Sequence, residues 1–158
     1  MKIFHKYIAA IILLLTANTY CPAQIKPLHI GDTIPNLTIT KLINYPAPSL
    51  KLSDFKGKLL ILDFWFTHCG SCIETFPKNY ALEQKYKGRL QFLLVDDKNS
   101  RDKVAQIQNF FSRHQLPIYD VPSVMEDTVL CAYFPHHTCP HCVWLKDNVV
   151  QAITDAED

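Results

Sequence analysis

Eight residues constrain this chain more than any others. Leu59–Phe66 reads LLILDFWF, apolar throughout except for Asp63, and turn-forming residues bound it. A run of this kind, without polar alternation, predicts a central parallel strand buried on both faces. Such strands belong to α/β domains, whose open sheets bind and react at the carboxyl ends of their strands. Thr67-His68-Cys69-Gly70-Ser71-Cys72 follows directly. The chemistry is expected there.

The flanking pattern fits the same class. Leu37–Ile43 alternates as a strand, Tyr45-Pro46-Ala47-Pro48 breaks it, and Leu50-Lys51-Leu52 reads as a short strand or turn. Ser53–Gly57 reads as a single helical turn. Apolar residues at Ile73, Phe76, Tyr80 and Ala81 predict an amphipathic helix over Cys72–Lys87. A Glu83–Lys87 pair supports it, Gly88 is its stop, and Pro77 is expected to kink it or to begin a second segment. Leu90–Val95 is a second buried strand. Arg101–His114 is a second helix, with Val104, Ile107, Phe110 and Phe111 inward. Asp127–Phe134 is a short third helix. His141–Leu145 and Val149–Ile153 form a hairpin about Lys146-Asp147-Asn148. This order predicts an α/β domain with parallel central strands and an antiparallel edge pair, hence a mixed sheet.

Residues 1–23 read as a secretory signal peptide. Lys2 and Lys6 precede the apolar run Ile8–Leu15, and Cys21-Pro22-Ala23 offers small residues before a cut at Gln24. The run is too short for a transmembrane span, and cleavage is favoured over an uncleaved anchor. Residues 24–158 then form one domain, in keeping with a 158-residue chain that is 48% hydrophobic. Losing Lys2 and Lys6 turns the formal charge of +1 into −1. With no dense basic cluster, nucleic acid is excluded as a partner. A secreted chain works where disulfides persist.

A Cys-x-x-Cys pair between a buried strand and a helix has a physical logic. The helix N-terminus offers free N–H groups and a positive dipole end, which favour a thiolate at Cys69. Cys69 is then the exposed nucleophile at the lip, and Cys72 the resolving thiol. A structural disulfide or half of a zinc site are the alternatives, but so short a loop restrains little of the unfolded chain.

The segment Asp63-Phe64-Trp65-Phe66-Thr67-His68-Cys69-Gly70-Ser71-Cys72, with Pro77 beyond it, resembles the active site of thioredoxin. The leading Gly31-Asp32-x-x-Pro35, the stretch Leu52–Lys58 and the signal peptide are similar to periplasmic or membrane-associated thiol-disulfide reductases of the TlpA/ResA type. The likeness runs from about Gly31 to Ile153. It implies a thioredoxin-like fold with an N-terminal strand extension, here expected to lack the family's C-terminal helix. The apolar sheet face beside the first helix is then expected to be under-covered, leaving the domain marginal or prone to associate.

The resemblance also implies roles. Asp63 is the buried acid that exchanges a proton with the resolving thiol, its pKa raised by desolvation. Trp65 shields the site by packing. His68 replaces a common tryptophan, and is either an imidazolium that stabilises the Cys69 thiolate or a solvated loop residue. Ser71 replaces the proline of thioredoxin, a change that alters redox poise. The glutamate of ResA-like chains falls at Thr75, so its role is not carried over. The expected partners are disulfide-containing envelope proteins and a membrane electron donor, in the periplasm or cell envelope, with cytochrome c maturation as the process. No cofactor or resident metal is implied.

A second pair, Cys139-Pro140-His141-Cys142, resembles the active site of DsbA-type oxidases when read alone. Its place before a strand matches instead the cis-proline that faces Cys-x-x-Cys in thioredoxin-like folds. Pro140 is therefore expected to be cis and, with Cys139, Trp65 and His68, to border bound substrate. Cys139 is open to three readings: a spectator thiol, a partner in an alternative disulfide with Cys69 or Cys142, or a soft-metal or iron–sulfur ligand beside Cys69 and Cys72. His136 and His137 read as solvated, and Cys131 as core. Two other functions compete. A peroxiredoxin would place threonine where Phe66 stands, and a Sco-type copper module would need one more residue between Cys69 and Cys72.

Overall fold

The computed structural model describes residues 25–114 and 121–155. The signal-peptide assignment to residues 1–23 lies outside them. Among the described residues no helix is long and apolar enough to cross a membrane.

In chain order the elements are β1 (Thr38–Ile39), β2 (Leu42–Ile43), β3 (Leu50–Lys51), β4 (Leu59–Trp65), α1 (Gly70–Lys85), β5 (Leu90–Asp97), α2 (Val104–His114), β6 (Ser123–Asp127), α3 (Val129–Tyr133), β7 (His141–Lys146) and β8 (Val149–Asp155). A six-stranded sheet has the order β2-β6-β5-β4-β7-β8, and β1 pairs with β3 in a small second sheet. Strands β4, β5 and β6 run parallel, while β2, β7 and β8 are antiparallel to their neighbours. The α/β class with a central mixed sheet is as expected.

Strand parity divides the core. Leu60, Leu62 and Phe64 point to one face with Leu93, Val95, Val143 and Leu145, under Leu130 and Phe134 of the α3 region. Ile61 and Trp65 point to the other face with Phe92 and Leu94, under Phe76 of α1 and Ile107, Phe110 and Phe111 of α2. Asp63 shares the parity of Ile61 and Trp65, so its carboxyl is carried to the α1 face. On β7 the same rule sends Val143 and Leu145 one way and Cys142 and Trp144 the other. Register then sets Cys142 directly across from Asp63.

Several expectations change. Leu37–Ile43 is not one strand: the chain switches partner near Thr40-Lys41, β1 pairing with β3 and β2 with β6. Ser123–Asp127 is a strand that the pattern did not mark, since serine and two acids make it read as loop. It forms because β5 leaves a ladder open, and Val124 and Met125 fill opposite faces. Asp127 thus ends a strand rather than opening a helix, and its carboxylate accepts the Cys131 N–H at 2.8 Å. Cys131 is half-buried against the core rather than inside it.

Helix α1 runs as one element through Pro77, with Cys72 and Phe76 holding its face to the sheet. Glu83 takes the Phe92 N–H at 2.7 Å rather than pairing with Lys87. That N–H points to the β6 side before β6 begins, so the carboxylate replaces a missing strand. In α2, Ile107, Phe110 and Phe111 are buried as expected, but Val104, in the first turn, is 38% exposed. The β7–β8 turn places Asp147 and Asn148 at φ 51° and 66°, the paired positive values of a two-residue hairpin loop. Beside α1 an apolar groove of about 300 Å³ opens among Leu59, Ile61, Leu82, Tyr86, Leu90 and Trp144.

Candidate active site

The site forms where β4 gives way to α1. Thr67, in the connecting loop, is latched to Asp102: its N–H donates at 2.6 Å and its hydroxyl at 2.7 Å to the two carboxylate oxygens. His68 Nδ1 lies 3.1 Å from the same hydroxyl, while the His68 side chain stands in solvent. The Cys69 N–H donates to the Phe66 carbonyl at 3.0 Å and closes the turn. Two anchors therefore fix the approach to Cys69.

Cys69 is the N-cap of α1 and is joined to Cys72 by a disulfide, with their Cα atoms 5.3 Å apart. Its Sγ accepts the Cys72 N–H at 3.2 Å and lies 3.6 Å from the Ser71 hydroxyl. These are the donors that would face a thiolate at this position. Cys69 was expected at an exposed lip, yet in the disulfide form it is only 5% exposed, and Cys72 is wholly buried. Both cysteines lie in one buried cluster with Trp65 and Phe76.

Asp63 is 1% exposed, and burial pushes its carboxyl up to about 7. Its two oxygens have separate donors. Asn79 Nδ2, seven residues along α1 from Cys72 and thus on the same helix face, donates to Oδ2 at 3.1 Å. Cys142 Sγ donates to Oδ1 at 3.7 Å. The sulfur on this carboxyl is therefore that of Cys142, and not that of Cys72.

The Cys139–Pro140 peptide is cis, as expected. Cys139 is half-buried against the cluster that contains Cys69 and Cys72, and burial raises its thiol to about 11. Trp65 corrects an expectation. At 1% exposed, with Phe76, Phe110 and Phe111 ring centroids 5.1, 5.5 and 5.6 Å away, it has no surface to offer substrate. A polar cleft of about 300 Å³ lies beside the loop, lined by Thr67, His68, Gln106, Asn109, Phe110 and Arg113.

His136 is not solvated as expected: it stacks on His141 at 4.7 Å, and burial lowers its pKa. The buried His141 donates from Nδ1 to Asp155 at 2.6 Å. Among the described residues no three His, Cys, Asp or Glu side chains converge as a metal site. Asn79 and Asp102 were missed by the sequence reading, which marked Cys142 as half of the second pair but not as a partner of Asp63. Of those two, Asn79 left a signal there, its seven-residue spacing from Cys72.

No family model matches the chain. It is 32% identical over 89 residues to thiol-disulfide oxidoreductase ResA of Bacillus thuringiensis subsp. konkukian, covering 56% of this chain and 49% of that protein. It is 27% identical over 88 residues to the thiol:disulfide interchange protein DsbE of Vibrio cholerae, covering 56% and 46%. The matches span about half the length of these curated relatives. Among solved structures, the thioredoxin domain of a thiol-disulfide oxidoreductase from Bacteroides vulgatus superposes with a TM-score of 0.62 at 22% identity, covering 80% of this chain and 88% of that one. The fold is thioredoxin-like, and the sequence is similar to thiol-disulfide oxidoreductases of the ResA and DsbE kind.

Proposed function

We propose that the chain is an extracytoplasmic thiol-disulfide oxidoreductase that reduces disulfides in envelope proteins. The observation that carries this reading is the Cys69–Cys72 disulfide at the start of α1, with a buried acid on the same sheet face. In the reduced enzyme the Cys69 thiolate attacks a substrate disulfide. A mixed disulfide forms and one substrate sulfur leaves as thiolate. Cys72 then gives up its proton, attacks the Cys69 sulfur and releases the second substrate thiolate. The dithiol supplies two electrons and ends as the disulfide described above.

Asp63 is the proton acceptor for Cys72. A carboxyl at about 7 divides its time between both forms at neutral pH, which suits a base that must also return its proton. Asp102 fixes the loop through Thr67 so that Cys69 is presented at one height. The cis peptide before Pro140 and the cleft beside His68 border the path of a bound peptide.

The secretory leader read over residues 1–23 supports a periplasmic or envelope location, and the likeness to ResA and DsbE supports thiol-disulfide exchange, here read in the reductive direction. Electrons then come from a membrane donor, and cytochrome c maturation is the process served. The test is a redox titration of the Cys69/Cys72 couple by thiol trapping, beside turnover of insulin disulfides. A reducing potential with turnover lost in Cys69→Ser supports the reading. Turnover that survives Cys69→Ser overturns it.

A further inference from the structure

The cycle above uses neither sulfur of the second pair, yet one of them touches its acid. Cys142 faces Asp63 for two independent reasons: β7 parity turns its side chain to the α1 face, and the β4–β7 register sets it opposite Asp63. Its thiol donates to Oδ1 while Asn79 donates to Oδ2. Each carboxylate oxygen thus has one donor, one from β7 and one from α1. Burial and the neighbouring carboxyl push the Cys142 thiol well above its ordinary range, so the sulfur keeps its proton at neutral pH. It is a donor and a poor nucleophile.

We propose that Cys142 is a positioning residue for Asp63: its thiol proton holds Oδ1 and sets the pH at which this carboxyl exchanges a proton during Cys69/Cys72 turnover. The proposal rests on the reading of Asp63 given above. A donor to the charged form favours that form, so the Cys142 thiol opposes the effect of burial. The groups facing Asp63 are few. Cys142 comes from β7, Cys139 from the segment before it and Asn79 from α1, while β5 presents Leu94 in register. Variants must therefore leave Cys139 and Asn79 in place.

The experiment follows the Asp63 side-chain carboxyl by carbon NMR against pH, in the oxidised full chain. It compares the wild type with Cys142→Val and Cys142→Ser. The valine variant removes the donor at near-constant volume and should raise the midpoint by about half a pH unit or more. The serine variant keeps a hydroxyl donor and should leave the midpoint at or below that of the wild type. The pH–rate profile for insulin reduction should move in parallel. If Cys142→Val does not fold, Cys142→Ala takes its place with the same expected direction. A midpoint that is the same in all variants overturns the proposal and leaves the exchange reading standing. A wild type that reduces no disulfide, whatever its midpoints, overturns the exchange reading and this proposal with it.

Discussion

Replacing Asp63 with asparagine keeps the shape of the side chain and removes its charge. In the folded protein this carboxyl ionises at about 7 rather than 3.8, because burial disfavours the anion. In the unfolded chain it ionises near its ordinary value. Between those two values the folded state holds a proton that the unfolded state has lost. The contribution of Asp63 to stability is therefore complete below the unfolded value and declines as pH rises through the folded one. Each pH unit in that window costs about 1.4 kcal/mol, which brings the whole loss to about 4 kcal/mol by pH 8. Roughly 2–3 kcal/mol of it falls between about pH 5 and pH 8. Asp63→Asn cannot lose stability in this way. Urea unfolding of both proteins, oxidised and at matched pH, reads the difference directly. Asp96, also raised by burial, to about 6, drops out because both proteins carry it. The stability of Asp63→Asn relative to wild type should rise by about 2–3 kcal/mol from the acid to the alkaline end. A difference that stays flat across this range refutes the argument, since Asp63 would then not titrate there.

The remaining predictions concern the scaffold and the role proposed for Cys72. Asp102→Ala frees the Thr67 N–H and hydroxyl, and should cost about 2–3 kcal/mol in urea unfolding while slowing disulfide exchange. Phe76→Ala removes a ring packed at 5.1 Å against Trp65 and should cost about 3–5 kcal/mol by the same assay. Asn148→Val places a branched side chain at φ 66° in the β7–β8 turn and should lower stability by about 1–2 kcal/mol, read as a reduced thermal midpoint. Cys72→Ser should let a mixed disulfide between Cys69 and substrate accumulate, visible as a larger species on a non-reducing gel and lost on adding dithiothreitol.

Much of the fold could be read from the sequence because its strongest signals are local. The octet Leu59–Phe66 gave β4, the stripe Ile73–Phe76–Tyr80 gave α1, and Asp147-Asn148 between alternating runs gave the hairpin. What local pattern could not supply was partnership. Ser123–Asp127 is a strand only because β5 has an open side, and Leu37–Ile43 divides because two different strands compete for it. Glu83 looked like half of a helix ion pair, but a strand N–H lacking a neighbour claimed it. The site divides along the same line. Cys69, Cys72 and Asp63 stand within ten residues and announce themselves. Asp102 and Cys142 are 35 and 79 residues from the groups they hold, and no spacing rule reaches that far.

The packing around Asp63 also explains why an acid that weakens the fold can remain there. A carboxylate in water would stay ionised far below neutral pH and would return a proton to a thiol poorly. The apolar face built by Ile61, Trp65 and Phe76 brings it to the neutral range, and the cost is the pH-dependent loss worked out above. Two donors keep that cost bounded, because without Asn79 and Cys142 burial alone would drive the carboxyl higher still and leave it protonated. The carboxyl thus sits between two opposing influences. One comes from the hydrophobic core that the sequence encodes locally, and the other from Asn79 on α1 and from Cys142, which the β4–β7 register brings alongside.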